Sequence, residues 1–312
     1  MKRIIFITVH SIINYIRSYF AQTNKTALVC ISLFTASLVF INYWYGVDDL
    51  IRSKDSFALK LFSWSLIFLC AFATPYVIYQ LITGKKFFSS PVFILLLLIA
   101  PLIFALKMSV RIELPVSGNP FWDHYWTQVL FWPLVSAAMT IVLFIIWRST
   151  RQQQDFYGLT RRNINFTPYF IMLACMIPLV AAASTQPDFL DMYPKLKSLN
   201  LIPDNELTTG HQLLYELSYA SDFFNIELFF RGFLVFAFMK WAGKDAILPM
   251  ACFYCTIHFG KPLGECISSY FGGILLGIVA FETRSILGGL LVHIGIAWMM
   301  ELGGYLGNML MK

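Results

Sequence analysis

Asn225-Ile226-Glu227-Leu228-Phe229-Phe230-Arg231-Gly232 sets an acid and a base four residues apart in an otherwise apolar stretch of membrane-spanning length. A charge at bilayer depth costs about 2.5–3.5 kcal/mol on insertion scales. Two such charges therefore require a partner or a wet cavity. The i, i+4 spacing puts Glu227 and Arg231 on one helix face, where they can pair with each other. Two more polar residues in later apolar segments, His258 and His293, are candidates to join them.

Only 13% of the 312 residues are charged, 58% are hydrophobic, and 30 are Phe. A soluble chain carries about 25% charged residues, so the deficit points to an integral membrane protein with the lipid bilayer as its main partner. The first 25 residues carry Lys2, Arg3, Arg17 and Lys25 and no acid. They read as a basic amphipathic lead-in on a membrane surface, and no cleavable signal pattern is present. The net charge of +6 therefore calls for no nucleic-acid partner.

A membrane-crossing helix needs about 20 mostly apolar residues. Segments 27–47, 58–82, 91–109, 125–148, 166–184, 210–240, 246–260, 264–281 and 285–306 approach that length, the seventh being short enough for partial insertion. The expected fold is an all-α polytopic transmembrane bundle with about eight or nine spans. Pro75, Pro101, Pro133 and Pro178 fall inside spans, which membrane helices tolerate. Basic residues concentrate at the amino end, at Lys85 and Lys86, at Arg148, Arg151, Arg161 and Arg162, and at Lys240 and Lys244. The intervening loops mix their few bases with acids such as Asp48, Asp49, Asp55, Asp188, Asp191, Asp204 and Glu206. The positive-inside rule then makes the amino terminus cytoplasmic.

Three regions follow: the basic segment 1–25, a transmembrane scaffold over 26–204, and a core over 205–312 that holds nearly every intramembrane ionisable group. Gly272, Gly273, Gly277, Gly288 and Gly289 also lie in that core, where small residues let helices approach closely. No internal repeat is visible, which weighs against a transporter built from duplicated halves. The six cysteines form no disulfide framework, and Cys252-x-x-Cys255-x-x-His258 matches neither a haem-attachment nor a zinc-knuckle spacing.

Glu216, Glu227 and Arg231 share one helix face, with Asp222 and Asn225 roughly opposite. His258 closes its segment before Gly260 and Pro262, and Glu265 in the next first turn suits the helix dipole. His293 sits mid-span without polar neighbours in sequence. A structural ion pair and packing histidines would account for each of these residues singly. Together, two imidazoles and a carboxylate are ligand types that zinc accepts. Such a metal would activate water, and a carboxylate beside it would serve as base. No His-Glu-x-x-His, Gly-x-Ser-x-Gly or phosphate loop is present.

Glu227-x-x-x-Arg231-Gly232, then Tyr254-x-x-x-His258, then His293 in a last long helix, resemble the CPBP intramembrane metalloprotease family. This family includes CAAX prenyl endopeptidases and bacteriocin-processing and abortive-infection proteins. His258-Phe259-Gly260-Lys261-Pro262-Leu263-Gly264-Glu265, Gly272-Gly273-x-x-x-Gly277 and Ser285-Ile286 resemble a bacterial branch of it, over about residues 210–300. The resemblance implies catalytic roles for Glu227, Arg231, His258 and His293. It implies a divalent metal, zinc being the expected one, held by His258, His293 and Glu227. It also implies cleavage of a membrane-associated peptide or protein in a bacterial inner (plasma) membrane. Three positions depart from the pattern: Ile226 stands for its first Glu, Tyr254 for Phe, and Ala297 for Asn or Asp. The alternatives are an inactive relative acting as membrane adaptor or immunity protein, or a small transporter.

Overall fold

A computed structural model describes residues 2–150, 154–162, 164–199, 202–203 and 206–310. Arg151 and Asp204, used above in reading loop charge, lie outside the described residues. The described chain is all-α, without a strand: α1 (Lys2–Gln22), α2 (Lys25–Tyr45), α3 (Val47–Arg52), α4 (Phe57–Thr83), α5 (Pro91–Ser109), α6 (Pro120–Ser149), α7 (Thr167–Ala183), α8 (Pro187–Met192), α9 (Thr209–Glu227), α10 (Met239–Ala242), α11 (Ile247–Thr256), α12 (Leu263–Thr283) and α13 (Leu287–Leu310). A π-helical segment, Leu228–Ala237, continues α9 without a break.

Local chemistry explains the helix ends. Asn24, Ser56 and Ser90 accept hydrogen bonds from first-turn amides as N-caps. Thr208 and His211 form a reciprocal capping box at the start of α9. Gly46 at φ +62° and Gly84 at φ +71° end α2 and α4 in the left-handed region, which glycine adopts without Cβ strain.

The nine expected segments are all helical. Six are long and apolar enough, by length and composition alone, to cross a membrane: α2, α4, α5, α6, α12 and α13. The other three differ. α7 is apolar but shorter, at 17 residues. α9 has a polar first half. α11 has ten residues, every one of them buried. That helix, expected to be short enough for partial insertion, is the central post of the bundle. α2, α4, α12 and the π segment surround it.

Outward faces are apolar, with Leu33, Phe40, Phe62 and Leu66 exposed, as suits helices that meet lipid rather than water. The interior is aromatic. Phe68, Phe72, Phe104, Phe229, Phe230 and Phe253 contact one another in tilted and edge-to-face pairs between α4, α5, α11 and the π segment. One core cluster runs from Tyr19 to Ile286, so the early scaffold and the late region share a single interior. The carboxy end of α1 reaches this core through Tyr19, and α1 packs against α7 and α12. In the last turn of α5, Lys107 pairs with Asp222 of α9 at 2.5 Å.

Glycines set the closest approaches in the late region. A Cβ on Gly273 would lie 3.2 Å from Tyr254 Cδ1, and one on Gly277 would lie 2.6 Å from Met250 Cε. These two residues hold α12 tight against α11. Gly288 does the same for α13, where a Cβ would fall 2.0 Å from the Tyr169 ring.

Candidate functional site

Glu227 is the last α-helical residue before the π segment, and Arg231 lies one turn on within it. π geometry inside an α-helix is rare and recurs at functional sites. Here Gly232 accommodates the neighbouring chain, since a Cβ at that position would meet Tyr157 Cβ and its carbonyl oxygen at 3.0 Å. Both charged side chains are fully buried.

Glu227 Oε1 is shared. It lies 3.1 Å from Arg231 Nη1 and 2.9 Å from His293 Nδ1 on α13. Oε2 is buried without a hydrogen-bond partner among the described residues. It points at Gly289, where a Cβ would come within 2.6 Å of it. The carboxylate therefore nests against a glycine that has no side chain to displace it. Arg231 Nε, Nη1 and Nη2 also lack hydrogen bonds of good geometry among the described residues. Its guanidinium carbon instead lies 4.1 Å from the Tyr254 ring centroid, a cation–π arrangement.

Tyr254 on α11 links the rest. Its hydroxyl lies 3.1 Å from His293 Nε2. Its backbone carbonyl lies 3.0 Å from His258 Nδ1, and its ring contacts the His258 ring at 4.7 Å between centroids. A carbonyl can only accept, so His258 Nδ1 carries the proton and Nε2 the lone pair. An ionised carboxylate can likewise only accept. With an ionised Glu227 and a neutral His293, Nδ1 donates to the carboxylate and Nε2 accepts from the Tyr254 hydroxyl. Phe223 packs on the His293 ring at 4.7 Å.

The four expected residues thus converge. Glu227 contacts both Arg231 and His293, and Tyr254 links His293 to His258. Glu216 does not join them. It lies three turns earlier on α9, with Glu301 as its charged neighbour. Ile226, where the resembled pattern has an acid, packs against the hydrophobic core. Ala297 is buried on α13 and offers His293 no polar group.

The sequence reading missed three features. Tyr254 stands where the resembled motif has Phe, and its hydroxyl lies 3.1 Å from His293 Nε2. Gly289, expected to serve helix packing, also borders Glu227 Oε2. A second polar cluster sits toward the other end of α12 and α13. There the Tyr193 hydroxyl meets both Glu265 oxygens at 3.1 Å, Lys261 Nζ reaches that hydroxyl at 2.7 Å, and Glu301 accepts the Lys195 amide at 2.7 and 2.9 Å. This cluster ties the turn Lys195–Leu199 down onto the bundle. Glu265 thus has these partners in addition to its place at a helix amino end.

The residues present do not fit the expected divalent metal. Among the described residues, no group of three His, Cys, Asp or Glu is placed to hold one. Both His293 nitrogens are engaged, and His258 reaches the others only through Tyr254.

Residues 220–299 match the family model described as Rce1-like, type II CAAX prenyl endopeptidase Rce1-like. The matched stretch contains Glu227, Arg231, Tyr254, His258 and His293, and it bears out the resemblance to the CPBP family. No curated protein and no solved structure matches the chain.

Proposed function

We propose that this protein is an intramembrane endopeptidase of the CAAX type, hydrolysing a peptide bond close to the carboxy end of a membrane-associated protein. The observation that carries the reading is the meeting of Glu227, Arg231, Tyr254 and His293 from the α9–π segment, α11 and α13, all within the stretch matching the endopeptidase family. Buried charges paired at membrane depth are costly and mark function more often than packing.

In this reading, His258 is the proton acceptor. Its Nδ1–H is fixed by the Tyr254 carbonyl, which leaves the Nε2 lone pair for a water. The water oxygen attacks the scissile carbonyl carbon as its proton passes to His258 Nε2. The imidazolium then returns that proton to the departing amide nitrogen. Glu227 is sealed from solvent and acts as support, holding the His293 tautomer much as a carboxylate orients the histidine of a hydrolytic triad. Arg231 sets a positive charge 3.1 Å from the same oxygen. No step runs through a metal. The distribution of loop bases supports a cytoplasmic amino terminus, and the bacterial branch that the motifs resemble supports a bacterial plasma membrane.

A second reading, a family relative without activity acting as adaptor or immunity protein, is favoured by Ile226 and Ala297, which remove two polar groups of the family pattern. One experiment separates the two. The purified protein in lipid nanodiscs is given carboxy-terminal peptides with and without a prenyl group, and new termini are read by mass spectrometry. Cleavage at one bond supports the peptidase. Intact peptides with folded protein support the adaptor.

A further inference from the structure

Tyr254 meets both imidazoles, and it does so by different atoms. Its hydroxyl meets His293 Nε2 at 3.1 Å, while its backbone carbonyl meets His258 Nδ1 at 3.0 Å. The side chain is itself locked. Arg231 stacks at 4.1 Å, Phe230 packs edge-on at 5.0 Å, and the glycine surface of α12 at Gly273 lies against Cδ1. A Phe here, as in the resembled motif, would keep every one of these ring contacts. It would leave His293 Nε2 without a donor, because Ala297, one turn on, carries no polar atom. Ile226 is equally mute. The phenol oxygen is therefore the only polar atom among these three departures from the motif, and it bonds to the site's own histidine.

We infer that the Tyr254 hydroxyl is a positioning group that gives the two histidines different jobs. By occupying Nε2 it fixes His293 as the support of Glu227, and it leaves His258 as the imidazole with a ring nitrogen open for proton transfer. The division of labour rests on the hydrolase reading. The placement of the protons does not.

The two parts are tested on the full-length protein in lipid nanodiscs, labelled with nitrogen-15 at histidine. Five histidines make the spectrum tractable, and His293→Gln identifies the His293 signals. In the wild type, His293 is expected as a single tautomer, with Nδ1 protonated and Nε2 accepting. In Tyr254→Phe, the His293 nitrogens shift toward a mixture of tautomers while His258, held by a backbone carbonyl, stays unchanged. A His293 spectrum that does not respond to Tyr254→Phe, or a wild-type His293 protonated at Nε2, overturns the proposal. If Tyr254→Phe does not fold, the wild-type pattern alone decides. The cleavage arm reads kcat against KM. Loss of one hydrogen bond to the supporting ring lowers kcat by about 5- to 10-fold with KM unchanged. A wild type that cleaves nothing removes the hydrolase reading and leaves the nitrogen spectra to judge the placement. An unchanged kcat in Tyr254→Phe overturns the division of labour while the peptidase reading stands.

Discussion

Replacing Glu227 with Ala tests the buried cluster most severely. Arg231 is fully buried, and Glu227 is its ion-pair partner among the described residues, at 3.1 Å. The substitution strands a guanidinium with no acid beside it and also removes the 2.9 Å partner of His293. Leaving a buried charge uncompensated costs about 3–5 kcal/mol. For a chain of this size that corresponds to a fall in apparent Tm of about 5–8 °C. The companion variant Glu227→Ala/Arg231→Met removes the stranded charge as well. Only the His293 hydrogen bond and some packing are then lost, about 1–3 kcal/mol. The double variant should therefore be more stable than the single one. Thermal unfolding followed by fluorescence of the eight tryptophans in nanodiscs reads both. A Glu227→Ala protein as stable as wild type, or a double variant whose loss equals the sum of both single losses, would refute a desolvated, mutually dependent pair.

Other outcomes follow from the same geometry. Gly289→Ala puts a methyl 2.6 Å from Glu227 Oε2 and must displace the carboxylate or α13. We expect a loss of about 1–3 kcal/mol and a changed His293 nitrogen spectrum, whereas Gly264→Ala, with open space around its Cβ, should be silent in both. Burial, and next the neighbouring Lys261 charge, push the Lys195 ammonium from 10.5 down to about 8 in the turn outside the spans. Between those values the unfolded chain binds more protons than the folded one. Stability should therefore rise from about pH 8 to about pH 10.5, and Lys195→Met should flatten that rise in pH-dependent unfolding. Chelation by EDTA, checked by elemental analysis before and after, should change neither Tm nor cleavage, because no three ligands converge among the described residues.

Much of the fold was legible because a bilayer imposes length. Runs of about 20 apolar residues located α2, α4, α5, α6, α12 and α13 directly. α11 escaped that rule for a physical reason. It is walled by Phe68, Phe72, Phe229 and Phe230 rather than by lipid, so it need not match the bilayer thickness. Hydropathy reports apolarity and is silent on centrality. At the site, the Glu227–Arg231 pair was local and readable from its spacing. The bond to His293 joins residues 66 apart in sequence, and the Lys107–Asp222 pair joins residues 115 apart. No periodicity encodes such pairings. The Tyr254 hydroxyl was hidden because Tyr and Phe fill nearly the same space, and only the neighbouring His293 nitrogen gives the extra oxygen a purpose.

The central claim is hydrolysis at this cluster, and comparing wild type with His258→Ala tests it most directly. Both proteins, shown to be folded by thermal unfolding in nanodiscs, are given the same prenylated carboxy-terminal peptide. Single-bond cleavage by the wild type that falls at least about 100-fold in His258→Ala, within the range for loss of a general base, is the result this account predicts. Equal cleavage by the two proteins, or none by a folded wild type, would contradict it.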